Sequence, residues 1–441
     1  MPILQIQRKT IETVDLKLLQ VPKIKNIAMD DLNLLQGEHI YPIFPLREME
    51  TDAIPNQKKH LEKTLDLQSK LEQRSVVKFL KSVDWRTSSH SPFVVELDPT
   101  SMCNLACPDC ISGSLLNKDE IPSERLLNLT NEMIDAGVKA VILIGGGEPM
   151  MHPAIGEVIR RLGEADVRIG ITTNGLYLRK YLDVTAEYSS WVRVSMDAGT
   201  DATFNRIRPS KTGKSLFASA VKNMESFARV KRGKLGYSFM IFNEGEFGFK
   251  GIPIKTNALN DLRHIKTNVH EIYTAAKLAR DIGCDYFEIK PMYDVNHYAI
   301  MQPAELTRIV DEQVALAKEL ETPDFKILEA TKLWASLHGE SNLEPKEYQR
   351  CAVAQARTLV TPSGVYVCPY FRGTEHKKIG DIQTQSFSHM WHGQQRKMVI
   401  DKLDPSRDCS MHCIRHESNQ TIERWIAGGF PLPGDDFDLF I

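Results

Sequence analysis

The chain has 441 residues, 42% of them hydrophobic and 25% charged, with 55 Lys+Arg against 57 Asp+Glu. That length predicts two or three domains with ample core, and the ordinary composition excludes wholesale disorder. The formal net charge of -2 leaves no basic surplus for nonspecific nucleic-acid binding, and apolar runs such as Val141–Ile144 are far too short to span a membrane.

The first ten residues, MPILQIQRKT, have no apolar signal core and no small-residue cleavage site, so the cytoplasm is the expected compartment. Residues 1–90 are expected to form a mostly helical and irregular N-terminal extension. Within it, 37–56 carries Pro42, Pro45 and Pro55 and predicts a loop. Gln57–Lys81 sets Leu61, Leu65, Leu71 and Leu80 among many charges, which predicts one amphipathic helix packed on the main domain.

From about residue 92 strand-like runs alternate with helix-length segments. The expected strands are Phe93–Leu97, Ala140–Ile144, Val167–Thr172, Trp191–Ser195, Gly236–Ile241 and Tyr286–Ile289. The expected helices are Ser123–Asp135, Ala154–Glu164, Leu216–Val230, Asn268–Ile282 and residues 303–320. The alternation predicts an α/β domain over 91–325, a partial (β/α)6 TIM-like barrel with ligands at the C-terminal ends of its strands. Beyond residue 340 the pattern breaks into short strands, Thr358–Thr361 and Val365–Val367, around the turn Pro362-Ser363-Gly364. Residues 340–425 are expected as a small α+β module and 426–441 as a tail.

Seven of the eight cysteines fall in two sets, and clustered thiols in a cytosolic chain read as metal or redox ligands. The first set lies in Thr100–Cys110, TSMCNLACPDC, where Cys103, Cys107 and Cys110 have the spacing C-x3-C-x2-C just after the first strand. Three thiolates can hold three irons of a [4Fe–4S] cube and leave the fourth iron open. Structural zinc is the competing reading, but it wants four ligands, and no fourth Cys or His follows closely.

The motifs in order resemble the radical S-adenosylmethionine (SAM) enzymes. After C-x3-C-x2-C, the second strand runs into Gly145-Gly146-Gly147-Glu148-Pro149, similar to the family's GGE motif. The third strand ends in Thr173-Asn174-Gly175, the fourth in Ser195-Met196-Asp197, and Arg206-Ile207-Arg208 follows, like the family's I-R segment. The resemblance implies one [4Fe–4S] cluster on Cys103, Cys107 and Cys110, with SAM chelated to its open iron. It implies SAM contacts from Gly146, Gly147, Glu148, Asn174, Ser195, Asp197 and Arg208, with Arg206 as the alternative carboxylate fork. One departure is Asp109, where many members carry an aromatic beside adenine.

The second set, Cys351, Cys368, Cys409 and Cys413, brackets a strand–turn–strand and has the spacing C-x16-C-x40-C-x3-C. It resembles the twitch module, the shortened SPASM extension found in aminocyclitol dehydrogenase-type radical SAM enzymes. That resemblance implies a second, fully ligated [4Fe–4S] cluster suited to electron transfer. A zinc in the same thiolates is the competing reading, and His412 and His416 are reserve ligands.

Thr212-Gly213-Lys214-Ser215 looks like the end of a P-loop, but the required first glycine position holds Arg208 and no strand precedes it directly, so triphosphate binding is rejected. Cys284 precedes the sixth strand, at the wrong end for chemistry, and reads as a buried structural thiol. Lys290 and His297, after that strand, are the candidate substrate residues. The expected activity is reductive cleavage of SAM to a 5′-deoxyadenosyl radical. That radical abstracts hydrogen from a polar small molecule (an aminocyclitol, sugar or nucleotide sugar), with oxidation by way of the auxiliary cluster. A peptide substrate or a redox-neutral lyase or dehydratase outcome is the alternative. An electron donor such as flavodoxin or ferredoxin is implied; nucleic acid and membrane partners are not.

Overall fold

A computed structural model describes residues 57–85, 90–244, 266–293, 304–338, 346–411 and 413–441. The expected loop at 37–56, His297 and His412 lie outside the described residues. All described residues belong to one unit, Ala53–Ile441.

The frame is a ten-stranded sheet. Its strands are β1 (Val94–Leu97), β2 (Ala140–Leu143), β3 (Arg168–Thr173), β4 (Ser189–Ser195) and β5 (Lys234–Met240), and, beyond a short ladder of β6 (Asn243–Glu244) and β7 (Lys266–Thr267), β8 (Tyr286–Lys290), β9 (Lys326–Glu329), β10 (Arg357–Thr361), β11 (Gly364–Tyr366) and β12 (Lys378–Gly380). The order across the sheet is β12-β11-β10-β1-β2-β3-β4-β5-β8-β9, parallel from β10 to β9. The curved sheet stays open between β9 and β10, as a partial TIM-like barrel. Among the described residues no helix is long and apolar enough to cross a membrane.

Helices at Ser123–Asp135, Ile155–Glu164, Phe217–Ala228, Ile272–Ile282 and Ala304–Lys318 cover the outer face. Ile155, Val158, Ile159 and Leu162 recur at helical spacing and are fully buried against the sheet. Each such side chain stabilises the fold by roughly 1.5–3 kcal/mol. Gly283, at φ 94, ends its helix in the left-handed conformation, which a side chain would strain.

Three differences from the sequence expectations matter. The single amphipathic helix over Gln57–Lys81 is broken into Gln57–Lys63, Leu67–Leu71 and Arg74–Ser82. Asp66 caps the second piece by accepting from Gln68 N and Ser69 N, and Gln73 is extended before the third. Secondly, β9 continues the parallel sheet just past the expected domain end at 325, and the unpredicted helix Leu182–Tyr188 crosses from β3 to β4. Thirdly, β10 pairs in parallel with β1, so the C-terminal hairpin extends the barrel sheet instead of standing apart.

The tail seals the N-terminal end of the barrel. Phe440 and Ile441 are buried with Leu71, Val76, Leu80, Val94 and Ala140. Gln73 fixes this segment: its Oε1 accepts from Phe437 N and Asp438 N, and its Nε2 donates to the Asp438 carbonyl. Lys70 and Asp438 form a buried ion pair at 3.1 Å.

Candidate active site

The first cysteine set lies on the loop that leaves β1, at the C-terminal end of the barrel. Several neighbours fix the loop. Ala106 N donates to Pro209 O at 2.8 Å, and Leu105 bridges to Ser210, so the I-R-P segment grips the stretch between Cys103 and Cys107. The Asn174 side-chain amide donates to Asn104 Oδ1 at 2.7 Å. Burial, with Glu148 and the two companion thiols nearby, pushes the Cys103 thiol up to about 11. Iron supplies the positive charge that would hold these sulfurs as thiolates.

Close approach explains the glycines. A Cβ on Gly147 would stand 2.2 Å from Met102 O and 2.6 Å from Thr100 O, while Glu148 N donates to Met102 O at 2.8 Å. Gly146 N donates to the buried Asp98 carboxylate at 2.8 Å, and Arg372 binds the same oxygen. The glycines are therefore required by the thiol loop's backbone and by the Asp98–Arg372 pair, which fill the space a side chain would need.

Glu148 is buried, and burial raises its pKa against the donors that favour its charge. Its carboxylate already accepts from Met150 N at 3.0 Å, Thr173 Oγ1 at 2.6 Å and Asn174 N at 2.7 Å. It joins the ends of β2 and β3. Asp197, at φ 54, accepts from Met240 N at 2.8 Å and from Arg208 Nε at 2.8 Å, with Arg208 Nη2 on the same oxygen. The Asp197 charge raises the Arg208 pKa against its burial, and Cys107 and Cys110 lie within electrostatic reach. Arg206 instead points to Thr267 O, at 3.4 Å. Arg208 is thus the arginine beside the thiol loop, with two of its nitrogens committed to Asp197. Ser195 ends β4 half-buried, in register with Ser238, whose buried hydroxyl has no hydrogen-bond partner.

The second set gathers around one volume. Cys351 and Cys409 are each pushed up to about 12, chiefly by burial and with Cys413 nearby; Cys368 and Cys413 rise for the same leading reason. Ala354 N and Arg415 N point at the Cys351 and Cys413 sulfurs at 3.4 Å, in the manner of donors to thiolates. Tyr370 Oη accepts from Ile414 N at 3.2 Å, tying the Cys368 and Cys413 segments together. Among the described residues no three His, Cys, Asp or Glu side chains are gathered as ligands for a single metal ion. A thiol-only donor set suits a soft metal centre, an iron–sulfur cluster or zinc. His416 Nδ1 lies 3.1 Å from Tyr348 Oη, which engages it outside the thiol set.

A cavity of about 340 Å³ runs through the barrel interior between the two sets. Ile111, next to Cys110, borders it on one side; Tyr370, Ile414 and Arg415 border it on the other. Trp191 and Tyr286 cross its floor opposite Gly170 and Gly236, where a Cβ would stand 2.2 and 2.1 Å from their rings. Lys290 lines the cavity, and burial lowers its pKa with Glu288 opposing. Cys284 is buried outside it. A second cavity of about 370 Å³ opens at the opposite ends of the strands, around Lys139, Arg168 and Phe437, and no cysteine lines it.

Sequence reasoning missed Asp98, Arg372, Asn104, Arg193, Glu288 and Arg415. Asp98, one residue beyond the first strand, was findable; the others needed the fold.

Together these features define the class: a partial barrel with a three-thiol loop and a glycine cradle at the C-terminal ends of its strands. Residues 97–247 match the family model described as the Radical SAM superfamily, so the chain carries a radical SAM domain. It is 28% identical over 135 residues to the GTP 3′,8-cyclase of Synechocystis sp., which covers 30% of this chain and 40% of that protein. The chain thus spans about two fifths of that relative's length. It is 26% identical over 369 residues to the AdoMet-dependent heme synthase of Methanosarcina barkeri, covering 79% of this chain and 95% of that one. In fold it is similar to Streptococcus suis SuiB bound to S-adenosylmethionine, with TM-score 0.51 and 15% identity, over 78% of this chain and 76% of that one.

Proposed function

We propose that the protein oxidises a polar small molecule held in the barrel cavity, consuming one SAM per turnover. The observation that carries this reading is the position of the cavity, between Ile111 beside Cys110 and Ile414 beside Cys413. Its volume of about 340 Å³ is at the small-ligand end of the usual range, roughly 300–1,000 Å³.

When bound, SAM and the two [4Fe–4S] clusters supply the hard chemistry: one-electron cleavage of SAM to a 5′-deoxyadenosyl radical, and a sink for the electron the substrate radical gives up. The chain's own residues orient and enclose. Cys103, Cys107 and Cys110 would hold the first cluster, and Cys351, Cys368, Cys409 and Cys413 the second. Gly146 and Gly147 would let the cradle pack closely on the thiol loop beside which the SAM methionine would lie. Ser195 is the candidate for a ribose hydroxyl, and the Arg208 nitrogen outside the Asp197 pair for the methionine carboxylate. Trp191 and Tyr286 close the floor against water.

Two-electron oxidation would take a hydrogen atom, an electron and a proton from the substrate; the bound groups would supply acceptors for the first two, and the proton would leave to solvent. Flavodoxin or ferredoxin is the reductant class that would start each turnover. The test is anaerobic turnover with deuterated candidate substrates, with mass spectrometry following deuterium into 5′-deoxyadenosine. Cys409→Ala with Cys413→Ala should still cleave some SAM but lose the oxidised product. A wild-type product at the substrate's own oxidation level overturns the electron-acceptor role.

A further inference from the structure

The charges inside the cavity do not balance. Three ion pairs account for most of them: Lys70–Asp438 at 3.1 Å, Arg193–Glu288 at 3.0 Å, and Arg357 on Glu96. Lys290 and Arg415 remain. Both line the cavity, and neither has a side-chain acceptor among the described residues. Two further donors are buried without a partner, Arg357 Nη1 and Arg193 Nε, on cations that line the same space.

This surplus sits among apolar walls, with Ile142, Ile144, Trp191 and Phe440 around it. Glu288 lies within electrostatic reach of Lys290, and Glu96 and Cys413 of Arg415, but the two lining glutamates are already engaged by Arg193 and Arg357, so the lining keeps more cations than carboxylates, and each surplus cation held out of water is costly. An incoming anion removes that cost. A guanidinium also presents parallel donors that match a carboxylate or phosphate edge, and a planar fork loses little freedom on binding.

We propose that the cavity recognises an anionic substrate, with Arg415 forking a carboxylate or phosphate group and Lys290 supplying a second positive charge from the C-terminal end of β8. This rests on the reading of the cavity as the substrate site and narrows its substrate class. A nucleotide sugar or a carboxylated sugar fits; a cationic aminocyclitol meets like charge. Arg415 follows Cys413 by two residues, so the fork would anchor the substrate on the auxiliary-module side and leave its far end towards Ile111 and the SAM loop.

The test is calorimetric titration of the anaerobically reconstituted, full-length protein with inorganic phosphate and, separately, with malonate. At least one of them should bind the wild type. Lys290→Gln and Arg415→Gln should each weaken that binding by about ten- to a hundredfold, and Arg160→Gln, on an exposed helix face, should not. Binding of phosphate alone identifies a phosphorylated substrate, and binding of malonate alone a carboxylated one. Arg415→Lys, which keeps the charge and removes the fork, should bind phosphate better than malonate. Because Arg415 adjoins Cys413, Lys290→Gln with unchanged iron content keeps the test valid if Arg415→Gln loses a cluster. Failure of both anions to bind the wild type, or equal binding in both variants, overturns the proposal. Turnover confined to neutral or cationic molecules also overturns it while leaving the oxidation reading intact. Lysine- and arginine-dependent anion binding with a redox-neutral product does the reverse.

Discussion

Gly147→Ala tests whether the cradle is built by backbone contact. The new Cβ would stand 2.2 Å from Met102 O, 2.6 Å from Thr100 O and 2.7 Å from the Ser101 carbonyl carbon. All three are main-chain atoms, so no rotamer change relieves the clash. Ordinary contact requires the two segments to part by about 1 Å. The loop resists: Ser101 N donates to Asp119 O at 2.8 Å, and Met102 N to Thr100 Oγ1 at 3.1 Å. Parting would break the Glu148 N to Met102 O bond, at about 1–3 kcal/mol for buried groups left unmatched. Overpacking strain adds about 1–3 kcal/mol. Cys103 follows directly, and a displacement of about 1 Å at a reacting centre costs about a hundredfold in rate. The expected result is near-normal iron content, a lower melting temperature and SAM cleavage slowed by about that factor. Gly137→Ala is the control: at φ 79 with nothing within 4 Å of its Cβ, it costs only about 1–2 kcal/mol of backbone strain and leaves cleavage alone. Wild-type cleavage in Gly147→Ala, or equal losses in both variants, refutes the contact argument.

Reconstituted protein should carry about eight irons, and Cys103→Ala with Cys107→Ala and Cys110→Ala should keep about four and cleave no SAM; saturation at four irons with one tightly held zinc would remove the second cluster. Lys70→Met strands the buried Asp438 carboxylate and should cost about 3–5 kcal/mol, read by denaturant unfolding; adding Asp438→Leu should recover much of it. His90 gives a pH test. Its Nε2 lies 2.8 Å from Gln355 O, its buried Nδ1 has no hydrogen-bond partner among the described residues, and burial lowers its pKa from the ordinary 6.5. Protonation therefore favours the unfolded chain, and stability should be flat above that ordinary value and fall as pH drops below it. His90→Gln should flatten this part of a melting-temperature profile between about pH 5 and 8, and an unchanged slope refutes the assignment.

The barrel was legible because its strands are short apolar runs bounded by helices with clean three- and four-residue spacing. The helix Ser123–Asp135 has the predicted bounds. Leu182–Tyr188 was missed because seven residues, with only two apolar aliphatic positions ahead of Ala186, carry too little periodicity to register. The break at Asp66 was missed because Leu61–Leu65 and Leu67–Leu71 each keep four-residue spacing on either side of it, and only the cap and the extended Gln73 separate the pieces. Motifs singled out Glu148, Asp197 and Arg208 but not their partners. The bonds that Glu148 accepts from Asn174 and Asp197 from Arg208 show these residues bracing the loops. The cavity charges were illegible for a different reason. Arg193, Glu288 and Arg357 each sit in an apolar strand, where a lone charge in sequence gives no sign of its counter-charge one or two strands away in the sheet.

The pairing of β10 with β1 bears on how two cysteine sets could work together. β1 leads through Asp98 to Cys103, and β10 and β11 lead to Cys368. β10 stands between β1 and β11, and β11 runs antiparallel to both, so the Cys103 and Cys368 segments leave opposite ends of two strands of one sheet. Arg372 then crosses from the C-terminal segment to Asp98, which also holds the Gly146 amide. A hydrogen-bonded ladder and a buried ion pair thus tie the Cys368 segment to the strand that leads to Cys103. If the second set holds a cluster that takes the substrate radical's electron, as proposed, that connection would keep acceptor and radical at a set distance each time the radical forms, and the proposed fork at Arg415 would border the same cavity.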